Sequence, residues 1–193
     1  MKHQVLQALQ GHPKVLAAMR RLRGALRGRA TPAYSPIGQA TADEKILRAW
    51  QQESLPQQQA AIVDRELEAL RAGRPPLVFS VLANALRERV RPDGGTTLLE
   101  VGCSGGHYHD VLKLLHVPHQ YTGCDISSAF IAAARLRHPQ LPFVVADATA
   151  LPWPDQSFDI VVSGCCLLHI PDYALAVAEA ARVARDWVVF HRT

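Results

Sequence analysis

Residues 97–106, TLLEVGCSGG, decide the fold, because a short apolar run leads directly into a glycine-rich turn. The apolar run predicts a buried parallel strand with an acid, Glu100, at its carboxyl end. Gly102, Gly105 and Gly106 have no Cβ, so the chain can turn sharply before a helix begins near Tyr108. A strand, a glycine turn and a helix in this order are typical of a site where the backbone approaches a ligand closely.

The pattern on the carboxyl side of Pro92 alternates between strand and helix. We predict strands near residues 97–101, 120–125, 143–146, 160–163 and 187–191, separated by helical stretches. Such alternation implies right-handed crossovers and therefore an α/β fold with a doubly wound, mostly parallel sheet. Ligands of these sheets bind at the carboxyl ends of the strands.

The chain before Pro92 is helical in pattern and divides into two parts. Residues 1–40 form a basic segment, partly helical, that ends in a Pro- and Gly-containing linker. Residues 41–92 carry three helical patterns and form a candidate lid or cap. Trp50, or Tyr34 in the preceding linker, is a candidate aromatic wall of the site. In the third helical pattern, Val78, Val81, Leu82, Leu86 and Val90 are expected to face inward. Residues 93–193 form the core domain.

The composition is that of an ordinary globular protein, with 48% apolar and 20% charged residues among 193. No run approaches the roughly 18 apolar residues of a membrane span, and no secretory signal is visible, so we expect a cytoplasmic location. The cysteines lack CxxC spacing and are expected to be reduced and buried: Cys103, Cys124, Cys165 and Cys166. His107 and His109 lack an evident third ligand, and no metal site is predicted.

The net charge of +4 is concentrated at the amino terminus, where seven Lys and Arg residues precede the first acid, Asp43. Such a segment could meet phosphates, which keeps a nucleic-acid methyltransferase or binding module open as an alternative. No (D/N)PPY-type motif of base-modifying enzymes occurs, however. Nucleic acid is therefore not the expected substrate.

The spacing around the turn favours one type of nucleoside ligand. The glycines do not follow the GxGxxG pattern of dinucleotide sites, and Glu100 would repel a pyrophosphate. The cationic ammonium and sulfonium groups of adenosylmethionine would instead be attracted to a carboxylate. An NAD-type oxidoreductase remains the alternative with the same architecture.

Two further acids follow predicted strands. Asp125 lies about twenty residues beyond the turn, where nucleoside sites place an acid that accepts from ribose hydroxyls. Asp147 is placed to accept from an adenine amine, while the amide of Ala148 is placed to donate to a ring nitrogen. Asp159, at the start of the next strand, is expected to serve a turn or a structural pair.

Residues 97–183 resemble a class I S-adenosylmethionine-dependent methyltransferase of the UbiE-like, type 11 group. The resemblance is carried by LLEVGCSGG, by the acid of GCDIS, by DATALPWPDQSFDIVV, and by LLHIPD with ALAVAEAARVA. The middle block is the most specific, since it combines an acid, a Leu-Pro-aromatic-Pro-Asp turn and a Ser-Phe-Asp strand start in order.

The resemblance implies S-adenosyl-L-methionine as cofactor, a small-molecule acceptor and an in-line displacement on the sulfonium methyl. It assigns the amino group of the cofactor to Glu100, the ribose to Asp125 with Ile126, and the adenine to Asp147 with Ala148. Ser163 and His169 would face the transferred methyl and the acceptor, with His169 as candidate base. The turn around the methionine part comprises Gly102, Cys103, Gly105 and Gly106.

The chain departs from the family pattern at three places. Ser104 stands where glycine is usual, and Ala184-Arg185-Asp186 shortens the turn before the fifth strand. The antiparallel hairpin that ends the family's sheet is missing, which leaves the fifth strand as an exposed edge. We therefore expect either a fragment of a longer protein or a partner, such as a second copy, that covers this edge. A scaffold that has lost turnover is a further alternative.

Overall fold

The computed structural model describes residues 49–192. The predicted basic amino-terminal segment, the linker with Tyr34 and most of the helix predicted from Thr41 lie outside the described residues. The division of the chain at residues 40 and 92 stays a prediction.

Two helices precede the sheet, α1 (Leu55–Arg71) and α2 (Leu77–Arg87). Pro56 lies in the first turn of α1, where its missing N–H costs no helical hydrogen bond. Their buried faces are Val63, Leu67 and Leu70 in α1, and Phe79, Leu82, Ala83 and Leu86 in α2. Val81 was expected to face inward, but it is 53% exposed, because the 79-82-83-86 stripe is the one that meets the core.

The rest of the described chain alternates strand and helix, as predicted. The elements are β1 (Thr97–Val101), α3 (His107–Leu114), β2 (Gln120–Asp125), α4 (Ser128–Arg137), β3 (Phe143–Val145), β4 (Phe158–Gly164), a 3-10 helix (Leu167–His169), α5 (Tyr173–Val183) and β5 (Ala184–His191). All strand pairings are parallel, in the order β3-β2-β1-β4-β5. The order reverses between β1 and β4, so the carboxyl ends of these two strands flank the crevice where such sheets bind ligands.

Helices cover both faces of the sheet, which confirms the doubly wound α/β class. Leu98 and Leu99 are adjacent in β1 and belong to separate buried clusters, since successive side chains of a strand point to opposite faces. The Leu98 cluster contains residues of α1, α2, α3 and α4, so the two amino-terminal helices share the main core. The Leu99 cluster contains Ala180 and Val183 of α5.

The amino ends of β1 and β4 are joined through the buried carboxylate of Asp159. This carboxylate accepts hydrogen bonds from the Thr97 amide and hydroxyl at 2.8 and 2.9 Å, and pairs with Arg91 at 2.8 Å and with Arg185. Burial alone would raise the pKa of Asp159, but these Thr97 and Arg91 partners lower it to about 2. The predicted structural role of Asp159 is confirmed.

The turn before β5 is as short as expected, because α5 ends at Val183 and β5 begins at Ala184. β5 lies at one edge of the described sheet and β3 at the other. Across residues 49–192, none of the helices combines the length and the apolar character that crossing a bilayer requires.

Candidate cofactor and methyl-transfer site

The glycine turn is held on top of the sheet by backbone hydrogen bonds. The amides of Gly102 and Cys103 both donate to the carbonyl of Cys124, at 2.8 and 2.9 Å. Gly102 has φ +75°, and a Cβ built on it would lie 2.5 Å from the Sγ of Cys166. Only glycine fits this position, because both the backbone conformation and the contact exclude a side chain.

Asp125, at the carboxyl end of β2, is bonded directly to this turn. Its Oδ2 accepts from the amide of Ser104 and its Oδ1 from the amide of Ser127, each at 2.9 Å. Burial raises the pKa of Asp125, and the amide hydrogen bonds oppose that rise. A carboxylate has about four acceptor positions, so these two bonds leave room for two hydroxyl donors.

Ser104, the departure from the family pattern, takes a left-handed conformation with φ +48°. A residue with a Cβ adopts this region at a cost of roughly 1–2 kcal/mol. The conformation directs the Ser104 amide to Asp125, and that hydrogen bond to a charged group offsets the cost. The turn therefore closes against Asp125 without the usual glycine.

Glu100 lies beneath the turn and is only 2% exposed. Its Oε2 accepts a hydrogen bond from the hydroxyl of Tyr121 at 2.5 Å. Burial raises the pKa of Glu100 to about 8; the Tyr121 bond lowers it and nearby Asp125 raises it further. The carboxyl group is thus mostly protonated at neutral pH, and Tyr121 is a partner that the sequence did not indicate.

Asp147 lies two residues beyond β3 and is exposed. Its Oδ1 accepts from both the amide and the hydroxyl of Thr149 at 2.8 Å, which forms a tight local turn. Ala148 packs against the Leu99 cluster and is half-buried, as is Ile126 beside Asp125. Asp125 and Val145 are register partners, so Asp147 follows the strand that neighbours Asp125.

The carboxyl end of β4 forms the other side of the crevice. Ser163 is 1% exposed, and Cys165 has φ +58° where the chain leaves the strand. Cys166 lies against Gly102, and its pKa is raised to about 12, mainly by burial. Sequence reasoning missed Cys166 as a site residue, because a second small apolar residue after a strand carries no distinguishing signal.

His169 lies in the 3-10 helix after β4 with an exposed imidazole. Its ring centroid is 4.5 Å from that of Trp50, and the two planes are inclined by 56°. Trp50 is half-buried. The structure thus brings together a candidate base and a candidate aromatic wall that are far apart in sequence.

The four thiols are free, but only Cys103 and Cys124 are buried, whereas Cys165 and Cys166 are half-buried at the site. In α3, Nδ1 of His109 lies 3.1 Å from Nε2 of His119 on the loop before β2. Among residues 49–192, no group of three or more His, Cys, Asp or Glu side chains is arranged to hold a metal ion.

Comparison with known proteins assigns this geometry to a family. Residues 99–189 match the family model described as a methyltransferase domain. This segment is similar to methyltransferase domains. The matched segment runs from within β1 to within β5, and all the candidate site residues from Glu100 to His169 lie in it.

Curated relatives of the matched segment include two mycobacterial enzymes. The phthiotriol/phenolphthiotriol dimycocerosates methyltransferase of Mycobacterium tuberculosis is 40% identical over 95 residues, which are 48% of this chain and 35% of that protein. The fatty-acid O-methyltransferase of Mycolicibacterium smegmatis is 39% identical over 93 residues, which are 47% of this chain and 34% of that protein. The chain spans about a third of the length of these relatives.

A solved structure shows the same fold. A Methanococcus maripaludis protein described as an S-adenosyl-L-methionine-dependent methyltransferase superposes with a TM-score of 0.52 at 17% identity, over 68% of this chain and 62% of that chain.

Proposed function

We propose that this chain transfers a methyl group from S-adenosyl-L-methionine to a small-molecule acceptor. The observation that carries the proposal is the glycine turn bonded through Ser104 to Asp125 at the crevice between β1 and β4, within a segment similar to methyltransferase domains. This arrangement offers a backbone cradle and a ribose acceptor at one site.

The residues present fit this cofactor on two grounds. A Cβ built on Gly105 would meet no atom within 4 Å, so the turn has open space for a ligand there, while Cys166 fills the space beside Gly102. Glu100 and Asp125 are neighbouring acids, and within the described residues no cationic side chain contributes to the pKa shift of either. An ammonium or sulfonium group would supply the missing positive charge.

Four groups of residues would hold the cofactor. The turn residues Gly102, Cys103, Gly105 and Gly106 would contact the methionine part, above Glu100. Asp125 and Ile126 would hold the ribose, and Asp147 with Ala148 the adenine. Ser163 and His169, at the carboxyl end of β4, would lie on the side of the methyl group and the acceptor.

When bound, the cofactor supplies an activated methyl group that leaves by in-line displacement. The residues of the chain would orient the two reactants and exclude water, which is the main source of rate for such a transfer. His169 would accept the proton of an acceptor hydroxyl at its imidazole nitrogen; a carboxylate acceptor carries no proton at neutral pH, and the imidazole would orient it by a hydrogen bond.

We infer that the acceptor is lipid-like. The two curated relatives are named for dimycocerosate and fatty-acid substrates. Beside His169, Leu168 is 65% exposed, Tyr173 61% and Leu175 37%. This apolar surface suits an acyl chain that presents its polar end to the imidazole.

A cytoplasmic location and a second copy covering β5 belong to the same proposal. They are supported by four free thiols and by the position of β5 at the edge of the described sheet.

The cofactor assignment is tested by calorimetric titration with S-adenosylhomocysteine. We expect micromolar binding that Asp125→Ala weakens at least about tenfold, since hydrogen bonds to a charged group contribute roughly 1.5–3 kcal/mol each. Asp125→Asn, which keeps the shape and part of the acceptor capacity, should fall in between.

Asp186→Ala is the matched control, because Asp186 is exposed near the amino end of β5, away from the crevice. Equal binding by wild type, Asp125→Ala and Asp186→Ala would refute the ribose assignment. The acceptor class is tested with radiolabelled S-adenosylmethionine and long-chain fatty acids. Label transfer to a short polar acid but not to a long-chain one would refute it.

A further inference from the structure

Trp50 precedes all the helices of the core in sequence, but it contacts the carboxyl end of β4, where we propose that methyl transfer takes place. It lies five positions before α1, yet its ring packs on the 3-10 helix at the carboxyl end of β4. The helices α1 and α2 pack instead in the main core. Trp50 therefore has a role separate from those helices.

Hydrogen bonds hold the backbone around His169, but within the described residues none holds the imidazole of His169. The amide of His169 donates to the carbonyl of Cys166 at 2.9 Å, and the amide of Cys165 donates to the carbonyl of His191 at 2.9 Å. For residues 49–192, no hydrogen bond or ion pair of the His169 imidazole is present, and its ring contact is with Trp50. The orientation of the imidazole thus depends on the indole.

We propose that Trp50 is the positioning residue for His169 and forms one wall of the acceptor site. The proposal rests on the proposed function. A tilted aromatic pair at this separation favours one ring orientation over others by about a factor of two to twelve. The acceptor would then meet the imidazole beside a flat apolar surface, which suits an acyl chain rather than a charged or strongly hydrated group.

The ring contact is tested by NMR of the histidine side chains in the whole protein. The ring current of an indole at 4.5 Å displaces the ring-proton resonances of His169 from those of exposed histidines. We expect Trp50→Ala to abolish the shift and Trp50→Phe to keep part of it. Trp153→Phe, which removes a tryptophan that packs on Phe158, should leave it unchanged. An unshifted His169 in the wild type would overturn the proposal.

The positioning role is tested by methyl transfer to a long-chain fatty acid. We expect Trp50→Ala to lower kcat by about three- to tenfold with little change in the KM for S-adenosylmethionine. Trp50→Phe should restore most of the rate, and Trp50→Ala should add little to the loss caused by His169→Asn. An unchanged kcat, or full additivity in the double variant, would overturn the proposal.

Failure of the proposed function gives a different pattern. If the chain binds no S-adenosylhomocysteine, the cofactor assignment fails, while the NMR shift still decides whether Trp50 holds His169. If Trp50→Ala weakens S-adenosylhomocysteine as much as Asp125→Ala does, Trp50 belongs to the cofactor site and the positioning role is wrong.

Discussion

At the scale of single residues, the glycine turn contains positions with different requirements. Gly102 has φ +75° and a neighbour, Cys166, in the space of a Cβ, whereas a Cβ on Gly105 would meet no atom within 4 Å. Ser104 shows that the turn accepts a side chain in the left-handed region when its amide gains a charged acceptor. The requirement for glycine is therefore strict at Gly102 and weak at Gly105.

This difference predicts opposite outcomes for two small substitutions. We expect Gly102→Ala to lower the free energy of unfolding by about 2–4 kcal/mol, from backbone strain and displacement of Cys166. Gly105→Ala should change it by no more than about 0.5 kcal/mol. Urea denaturation measures both. Similar losses in the two variants would contradict the role assigned to Cys166.

Glu100 is a second residue whose environment changes its chemistry. With the Tyr121 hydroxyl as its hydrogen-bond partner and a pKa of about 8, Glu100 is largely a neutral acid at neutral pH. A cationic ligand nearby would favour its ionised form. The attraction that the sequence suggested between Glu100 and the cofactor's amino group thus becomes coupled to the loss of a proton.

At the scale of elements, the site depends on the alignment of β1 with β4. Glu100 pairs with Val162 in register, and Asp159 fixes the amino ends of the same two strands through Thr97. Contacts at the amino ends of β1 and β4 thereby fix the alignment of their carboxyl ends, where the crevice lies. A one-residue slip would turn every side chain to the other face of the sheet.

Asp159→Asn tests this alignment. We expect a loss of about 2 kcal/mol of stability at pH 7, since the pKa of Asp159 falls from 3.8 to about 2 on folding. A lowered folded pKa stabilises above the unfolded value, so the difference between wild type and variant should disappear as the pH falls from about 4 to 2.

Asp155→Asn is the control, because Asp155 also pairs with an arginine, Arg182 at 3.0 Å, but its side chain is 75% exposed. We expect a change of less than about 1 kcal/mol from this surface pair. Denaturation at several pH values measures both variants. Equal losses of stability in the two variants would show that the burial of Asp159 does not determine the size of its contribution.

At the scale of the whole molecule, a set of buried histidines and the buried Glu100 change the stability of the fold with pH in opposite directions. Burial lowers the pKa of His107 and of His109 to about 4, and it also lowers those of His119 and His138. These four imidazoles lie on α3, before β2 and just after α4, where α1 packs through Asp64 and Arg137 at 3.2 Å. Glu100 lies across the same layer, beneath the turn.

The signs of these shifts predict a stability maximum near pH 6.5. Below pH 6.5, the histidines of the unfolded chain bind protons, whereas those of the folded protein stay neutral. Stability therefore falls as the pH drops from 6.5 towards 4. Unfolded Glu100 is ionised above about pH 4.5, whereas folded Glu100 keeps its proton up to about pH 8; above pH 6.5 the histidines no longer outweigh this effect, so stability falls towards pH 8. The alkaline limb should amount to roughly 2 kcal/mol, and the acid limb to at least as much.

Denaturation midpoints between pH 4.5 and pH 8.5 measure the profile. Glu100→Gln keeps an acceptor for Tyr121 and has no ionisable group, so it should flatten the alkaline limb and make the acid limb steeper, because Glu100 opposes the histidines between pH 4.5 and 6.5. The reverse result, a flattened acid limb in Glu100→Gln, would show that the histidines do not carry the acid response. A monotonic profile in the wild type would contradict both assignments.

The sequence by itself determined the order of elements and the family. The bounds predicted for β1 and β2 are confirmed, because β1 is a short apolar run that ends before Gly102, and β2 ends at the acid Asp125. β4 and β5 begin earlier than predicted, because Phe158 pairs with Ala184; for β5, the strand follows α5 with no turn residue between them. These are short-range properties, readable from neighbouring residues.

Only the tertiary structure decided what the site residues touch. Glu100 meets Tyr121, Gly102 meets Cys166, and Trp50 meets His169, and each contact joins segments that are distant in sequence. Such contacts follow from strand order and register, which bring the carboxyl ends of β1, β2 and β4 to one edge of the sheet. The sequence pattern predicts which residues lie at this edge. Their mutual distances, their burial and therefore their pKa values depend on how the helices pack against the sheet.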